Sequence, residues 1–460
     1  MAAKVISQPK FEALAFSRRP TAKYSVEERE WYADQDENIL GVITWDLPDR
    51  DWGYVVLGRD EKALFRCIDV GVSFPDVEKA RHELHVKMSH YALSGETVFP
   101  QGDEVRKKKF DIFKRVVASE RLNPHFEMLA EEKGYSPAKA IIAEIAYSFE
   151  DPDGNYIEQF QSTGYDSRLW ELFLYAFIHE NDFFIERTFP APDYLCNKLG
   201  QTVFLEAMTV NPTQGKEIVD VSPETVPPDL LADYAAIKFG STLTSKLNRN
   251  PPYWELPHVK NRPLIFAIAD FHQKRSMLWT HPYLIEYLYG SRDRKTTIDG
   301  REQVCHEQIR EHRFGEKCIP SGFFSLPLSE NVSAVLFSNS GTISKFNRMG
   351  KLAGFGDPGI RMLRVGKRYD HREGSLVPAD FSLEIEEGKT IETWSEGVSI
   401  FHNPKAINPL PPELFSMAGH HQLVNGVLVS YLPDFWPLVS ITHILSFWSK
   451  NDPPDTPGIA

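Results

Sequence analysis

Three carboxylates stand in apolar surroundings between residues 166 and 209, and their positions constrain the fold more than any other part of the sequence. Glu171 interrupts an apolar helical run, Asp193 follows a proline before a short strand-like segment, and Glu206 lies within the near-continuous apolar run VFLEAM. Carboxylates are almost never fully buried unless they are paired or bound to a metal. We therefore expect either an acidic metal pocket or three separately paired acids.

The pattern around these acids predicts an ordered set of elements. Apolar residues recur at helical spacing in some segments and run almost continuously in others, as in buried strands. The predicted order is a helix, three strands, a helix and a fourth strand, over 167–179, 183–188, 193–196, 202–210, 230–247 and 264–270. Such an order implies a mixed sheet covered by helices, and hence the α/β class.

The length of 460 residues predicts more than one domain. Residues 1–125 suggest an N-terminal α/β module that contains a hairpin of two strands joined by the polar turn at 46–51. Residues 126–290 contain the mixed sheet. Residues 291–460 are richer in strands and turns and suggest a strand-rich C-terminal module. Predicted elements in the outer modules are strands at 38–45, 52–57, 64–70, 332–337, 394–401 and 426–432 and a helix at 75–93.

The composition of the chain indicates its cellular compartment and limits the classes of partner that it can bind. A hydrophobic fraction of 42% and a charged fraction of 25% are typical of a soluble globular protein. The net charge of −13 argues against a generally basic nucleic-acid-binding surface but leaves room for a local basic groove. Four isolated cysteines favour a reduced, cytoplasmic location over a disulfide scaffold. Without a signal peptide or a run of about 20 apolar residues, no membrane association is expected.

The combination of Glu171, the Pro192-Asp193 pair and Glu206 resembles the PD-(D/E)XK, or restriction-endonuclease-like, nuclease superfamily. The predicted element order resembles the core of that superfamily as well, over about residues 160–275. The resemblance implies that Asp193 and Glu206 hold Mg²⁺ or Mn²⁺, with Glu171 assisting directly or through water. Phosphodiester hydrolysis needs such an ion to polarise the phosphate and lower the pKa of the attacking water.

The sequence departs from the family pattern at one position. The family carries a lysine two residues after the strand glutamate, and Met208 stands there instead. A thioether cannot orient water or neutralise a developing negative charge. Lys246 and Lys238 on the following helix, and Lys216 in the loop before it, are the candidates for a relocated lysine, and Lys246 is preferred. Without such a lysine, we expect a core that binds nucleic acid or a protein partner without cleaving.

Each acid also has a plain structural explanation. Glu171 and Arg168 are three residues apart on one helix and are spaced to form an ion pair. Asp193 has the position of an ordinary turn acid after proline. Glu206 is suited to pair with a buried basic group. These explanations remain open beside the metal site.

Other chemistry-bearing residues give weaker patterns. Two sets contain metal-ligating types but lack CxxC or HExxH spacing: Cys305, His306, His312 and Cys318, and His402, His420, His421 and His443. Surface or packing roles are favoured, and a zinc-dependent hydrolase stays as an alternative. The segment 346–351 mixes aromatic and basic residues, which indicates a surface loop or a contact to nucleic acid. The basic run 106–109 indicates a solvated face or a phosphate contact.

Together these patterns predict a cytoplasmic, metal-dependent nuclease with Asp193, Glu206, Glu171 and Lys246 as site residues. The expected partner is nucleic acid, with DNA as the predicted substrate, and a homodimer is compatible with the flanking modules. A role in bacterial defence is suggested by analogy with nucleases that carry specialised flanks.

Overall fold

The computed structural model describes residues 3–18, 25–103, 109–151, 153–212, 221–298, 301–375 and 377–446. Residues 106–108 of the predicted basic run and Lys216 lie outside this part of the chain. Its α-helices are α1 Gln8–Leu14, α2 Val77–Ser94, α3 Pro124–Glu131, α4 Ser136–Tyr147, α5 Tyr156–Gln161, α6 Tyr165–Glu180, α7 Pro228–Leu247, α8 His281–Tyr289 and α9 Ile343–Leu352.

The strands fall into several sheets. The described strands are β1 Lys4–Val5, β2 Val26–Ala33, β3 Ile39–Asp46, β4 Trp52–Arg59, β5 Phe65–Phe74, β6 Phe184–Glu186, β7 Tyr194–Lys198, β8 Gln201–Val210, β9 Leu264–Asp270, β10 Ser291–Ile298, β11 Arg301–Gln308, β12 Glu311–Phe314, β13 Lys317–Pro320, β14 Ala334–Ser338, β15 Ile360–Arg368, β16 Ala379–Glu384, β17 Val398–His402, β18 Gly419–Val424, β19 Val427–Tyr431 and β20 Pro437–Ser446. No helix among the described residues is long and apolar enough to cross a membrane.

The N-terminal sheet has the order β1-β2-β3-β4-β5 and is antiparallel throughout. The hairpin predicted around residues 46–51 is the β3–β4 pair. Helix α2 packs on this sheet with Leu84 and Met88 buried against Gly41, where an added Cβ would lie 2.5 Å from the Met88 sulfur. Strand β2 and helix α1 were missed by the sequence patterns.

The central sheet has eight strands in the order β19-β18-β17-β14-β9-β8-β7-β6. Strands β6, β7 and β8 form an antiparallel meander, and β8, β9 and β14 run parallel. The predicted mixed sheet flanked by helices is therefore present. It also takes strands from both sides of the boundary predicted at residues 290 and 291, so the second and third predicted modules share one sheet.

The two faces of the central sheet are covered by different helices. Alternation along β8 turns Val203 and Leu205 towards the core that contains α6, and Phe204 and Met208 towards the core that contains α7 and α8. The Trp170 indole of α6 donates to the backbone oxygen of Ala267 at 3.1 Å. Glu206 consequently lies on the α7 side of the sheet, and Glu171 of α6 lies on the other side.

Helix α9 corrects the interpretation of residues 346–351. The segment is not a surface loop but part of α9, with Phe346, Asn347 and Arg348 buried. The Arg348 guanidinium donates to Glu392 at 2.8 Å, and the Lys345 ammonium group lies 2.7 Å from the same carboxylate. Since Arg348 is buried in this pairing, it is not presented to nucleic acid. The prediction was wrong because the sequence does not show which side of a short amphipathic segment faces the core.

Candidate functional site

The central sheet has a gap beside β8, which we call the notch and define as the β7-facing edge of residues 206–210. Strand β7 begins at Tyr194, which pairs with Leu205, so the rest of β8 has no β7 neighbour. The Asp193 carboxylate accepts a hydrogen bond from the backbone N–H of Ala207 at 2.7 Å. Asp193 thus satisfies a backbone donor that strand pairing leaves free.

A cleft of about 440 Å³ lies at the notch and is lined there by Ala207, Met208 and Thr209, while Asp193 and Glu206 are not among its lining residues. Two helices from opposite faces of the sheet reach it, α6 with its N-terminal half and α7 with its C-terminal half. The lining residues are Ser167, Trp170, Glu171, Ala207, Met208, Thr209, Ser241, Thr242, Ser245 and Lys246. Hydroxyls and the two charged side chains give the cleft a polar part, beside the apolar Trp170 and Met208, at a point where the strand edge is open.

Lys246 reaches Glu206 from α7. The lysine Nζ donates to Glu206 Oε1 at 2.5 Å, and the lysine side chain is 37% exposed while that of Glu206 is 7% exposed. Burial raises the pKa of Glu206, and the nearby Asp193 raises this pKa further. Lys246 and a hydrogen bond from Tyr253 oppose the shift. The preferred lysine of the sequence prediction therefore contacts the strand glutamate.

Glu171 lies beside two arginines, one of which is hydrogen-bonded to it. The Arg168 guanidinium donates to Glu171 Oε1 at 2.7 Å, and Arg187 Nη2 lies 3.5 Å from Oε2. Burial raises the pKa of Glu171 to about 7, Asp193 adds to the rise, and the two arginines oppose it. The predicted Arg168 pair is thus present, and Glu171 titrates near neutral pH.

Asp193 and Glu206 are the two carboxylates that would hold a divalent ion at this site. No group of three or more His, Cys, Asp or Glu side chains in the described ranges is arranged to hold a metal ion. Glu171 Oε1 accepts a hydrogen bond from Arg168, whereas the buried Oε2 accepts none from any described residue, so Glu171 remains a candidate to assist the ion directly or through water. After burial, the negative charge of Asp193 is the next cause that raises the pKa of each glutamate, as expected for neighbouring carboxylates. A cation between Asp193 and Glu206 would relieve the repulsion between their charges, and Mg²⁺ keeps several waters in such sites.

The remaining lysine candidate lies elsewhere on α7. Lys238 is half-buried, with its Nζ 5.3 Å from the centre of the Tyr234 ring, and does not line the cleft. Arg187 and Tyr253 contact the acids but were not foreseen. Arg187 follows β6 and Tyr253 follows α7, so only the folded chain brings them to the site, and neither carries a sequence motif.

The first candidate zinc set is dispersed. Cys305 and His306 are exposed on β11. The buried His312 ring contacts Asp233 at 3.0 Å and Ser321 at 2.8 Å, so both ring nitrogens already have protein partners. Cys318 is exposed on β13 and contacts Glu311.

Four other histidines form a buried group that we call the histidine cluster: His281, His402, His420 and His421. His420 Nε2 donates to the carbonyl of Phe415 at 3.0 Å, so its Nδ1 accepts from His402 Nε2 at 2.8 Å. His421 contacts the Ser399 and Ser430 hydroxyls. Burial lowers the pKa of His402 to about 4 and that of His421 to about 3. These contacts indicate neutral packing residues, and His443 lies apart on β20.

Comparison with other proteins adds no relative. No protein-family model matches this chain, and no curated protein and no solved structure matches it. The cleft at the notch is therefore the main source of information on function.

Proposed function

We propose that this protein is a metal-dependent nuclease that hydrolyses phosphodiester bonds of DNA, with Mg²⁺ or Mn²⁺ held by Asp193 and Glu206. The observation that carries the proposal is the contact between Lys246 and Glu206 at an open strand edge that Asp193 also borders. The succession α6, antiparallel β6-β7-β8, α7 and parallel β9 supports it, because it is the element order on which the resemblance to PD-(D/E)XK nucleases was based.

Asp193 and Lys246 would have separate roles in the proposed hydrolysis. When bound, the ion would supply polarisation of the phosphate and an activated water. Asp193 is fixed by the Ala207 N–H, so its second oxygen has a defined direction at the strand edge. Lys246 is partly exposed and lines the cleft, where its ammonium group would stabilise negative charge developing on the phosphate.

Glu171 takes an assisting part in this proposal. Its Oε1 is hydrogen-bonded to Arg168, while its Oε2 lies 3.5 Å from Arg187 Nη2 and accepts no hydrogen bond in the described part of the chain, so Glu171 would support the ion directly through Oε2 or through water. With its pKa raised to about 7, its charge changes over the range in which such an enzyme would work. The setting that we propose, by analogy with nucleases that carry specialised flanks, is bacterial defence.

A second candidate is a core that binds nucleic acid or a protein partner without cleaving. Met208 occupies the family's lysine position, and both glutamates already have cationic partners. A zinc-dependent hydrolase would need a group of His, Cys, Asp or Glu side chains arranged to hold the ion, and the described residues contain no such group of three or more.

One experiment separates these functions. Plasmid and single-stranded DNA are incubated with purified protein and Mg²⁺, Mn²⁺ or EDTA. Asp193→Asn, Glu206→Gln and Lys246→Met should each lose cleavage, while Lys238→Met on the same helix should keep it. Cleavage that survives both Asp193→Asn and Glu206→Gln would contradict the assignment. Binding without cleavage by the unmodified protein would favour the second candidate.

A further inference from the structure

Strand β19 is one edge of the central sheet. It pairs with β18 on one side, and no other described strand pairs with its outer side. A free strand edge is a template for another strand, and proteins protect such edges with charges, short strands or a covering segment. β19 has five residues, VLVSY, and none of them is charged.

The other edges of the three larger sheets in the described part of the chain carry protection. Strands β1 and β6 have only two and three residues. Strand β5 carries Arg66 and Asp69, and β16 carries Asp380 and Glu384. Strand β20 is partly covered, since Asn339 donates to the carbonyl of Leu438 at 2.9 Å and Gly134 packs against Ile444. By contrast, no Asp, Glu, Lys or Arg occurs between residues 419 and 433.

The β18–β19 hairpin also exposes apolar side chains on one face. Val427 pairs with Val424 across the hairpin, and alternation places Val427, Val429 and Tyr431 on the same face of β19. The exposed fractions are 41% for Val424, 49% for Val427 and 57% for Tyr431. The open edge is therefore uncharged and apolar.

We propose that β19 pairs antiparallel with β19 of a second copy of this chain, about a two-fold axis at Val429. This register places Val427 opposite Tyr431 of the partner subunit, and pairs of aromatic and β-branched side chains stabilise antiparallel strands. The two copies use the same surface, so the contact closes as a dimer and leaves neither β19 edge free.

Charge favours a second copy as the occupant. The chain carries a net charge of −13, so most pairs of its surfaces repel each other. The uncharged residues 419–433 can meet their own copy without placing like charges together. Nucleic acid is a poor occupant, because the strand offers no Lys or Arg to phosphate groups. The site at β8 lies several strands away, so this inference does not rest on the proposed function.

Mass in solution tests the proposal. At tens of micromolar, light scattering after size-exclusion chromatography should give twice the chain mass of 52.6 kDa. Val429→Lys places two ammonium groups opposite each other at the axis and should give a monomer with an unchanged circular dichroism spectrum. Val72→Lys, at a valine that is 72% exposed on β5, is the matched control and should remain a dimer.

A cross-link tests the register independently. Val429→Cys should form a disulfide-linked dimer under mild oxidation, because the axis sets the two residues opposite each other. The unmodified protein with its four cysteines, treated with the same oxidant, sets the background. A monomeric unmodified protein, a dimeric Val429→Lys variant, a polydisperse mixture, or no cross-link above background would each overturn the proposal.

Discussion

Replacing Glu171 with glutamine should change how the stability of this protein depends on pH. Burial raises the pKa of this carboxyl from 4.5 to about 7 in the folded chain. The folded state therefore binds the proton more tightly than the unfolded state does. The resulting contribution to stability is fully present below pH 4.5 and is lost as pH rises through 7.

The size of the effect follows from the shift. Each pKa unit corresponds to about 1.4 kcal/mol, so the rise to about 7 amounts to roughly 3 kcal/mol. We expect the free energy of unfolding of the unmodified protein, relative to Glu171→Gln, to fall by about this amount between pH 4.5 and pH 8. Replacing the protonated carboxyl group by an amide beside Arg168 and Arg187 adds an offset that does not depend on pH.

Urea denaturation of the two proteins at several pH values between 4.5 and 8 measures the difference. Titration of other groups, including the histidine cluster, affects both proteins and cancels. Glu311→Gln, at an exposed carboxylate whose pKa is lowered by Arg313, is the control, and its difference from the unmodified protein should not change with pH over this range. A difference between the unmodified protein and Glu171→Gln that stays constant across this range would refute the reasoning.

Three further predictions concern other parts of the molecule. Glu392→Gln should lower the free energy of unfolding by roughly 3–5 kcal/mol in denaturant titrations, because it leaves the buried Lys345 and Arg348 without their anion. Glu384→Gln, which breaks an exposed pair with Arg361, is the control and should lower it by less than about 1 kcal/mol. The pKa of His421 falls from 6.5 to about 3 on folding, so its contribution to stability is present above pH 6.5 and is lost as pH falls through 3. His421→Gln should therefore make strands β17–β19 less sensitive to acid in hydrogen-exchange measurements, whereas His443→Gln should not. Lys246→Met should raise the pKa of Glu206 further, because it removes the cation that opposes the shift. Infrared difference spectra of the carboxyl group, with Glu206→Gln as the reference, can follow this change. An unchanged carboxyl signal would show that Lys246 does not neutralise this acid.

The sequence predicted the buried strands of the central sheet more accurately than their surroundings. Strand β9 was placed at residues 264–270, as observed, because all seven of its residues are buried and the apolar run has clear limits. Strand β17 was predicted to begin at residue 394 but begins at Val398. Trp394 is buried outside the strand, and an apolar pattern does not distinguish the two kinds of burial.

The site was predictable where it depended on local spacing. Lys246 and Lys238 are eight residues apart, or roughly 12 Å along the helix, so only one of them can meet Glu206. The Glu171–Arg168 pair follows from helical spacing. The second cation on Glu171 was not predictable, because Arg187 reaches the carboxylate only through the meander that follows α6.

The strand order of the central sheet affects how the chain folds while it is being synthesised. Strand β9 ends at Asp270, and its neighbour β14 begins at Ala334, about 60 residues later. At synthesis rates of about 5–20 residues per second, roughly 3–12 s pass before the ribosome delivers that neighbour. During this interval the nascent chain exposes the apolar edge of β9. We expect early folding intermediates to need chaperone protection there, and a truncation after residue 290 to aggregate rather than yield an isolated domain.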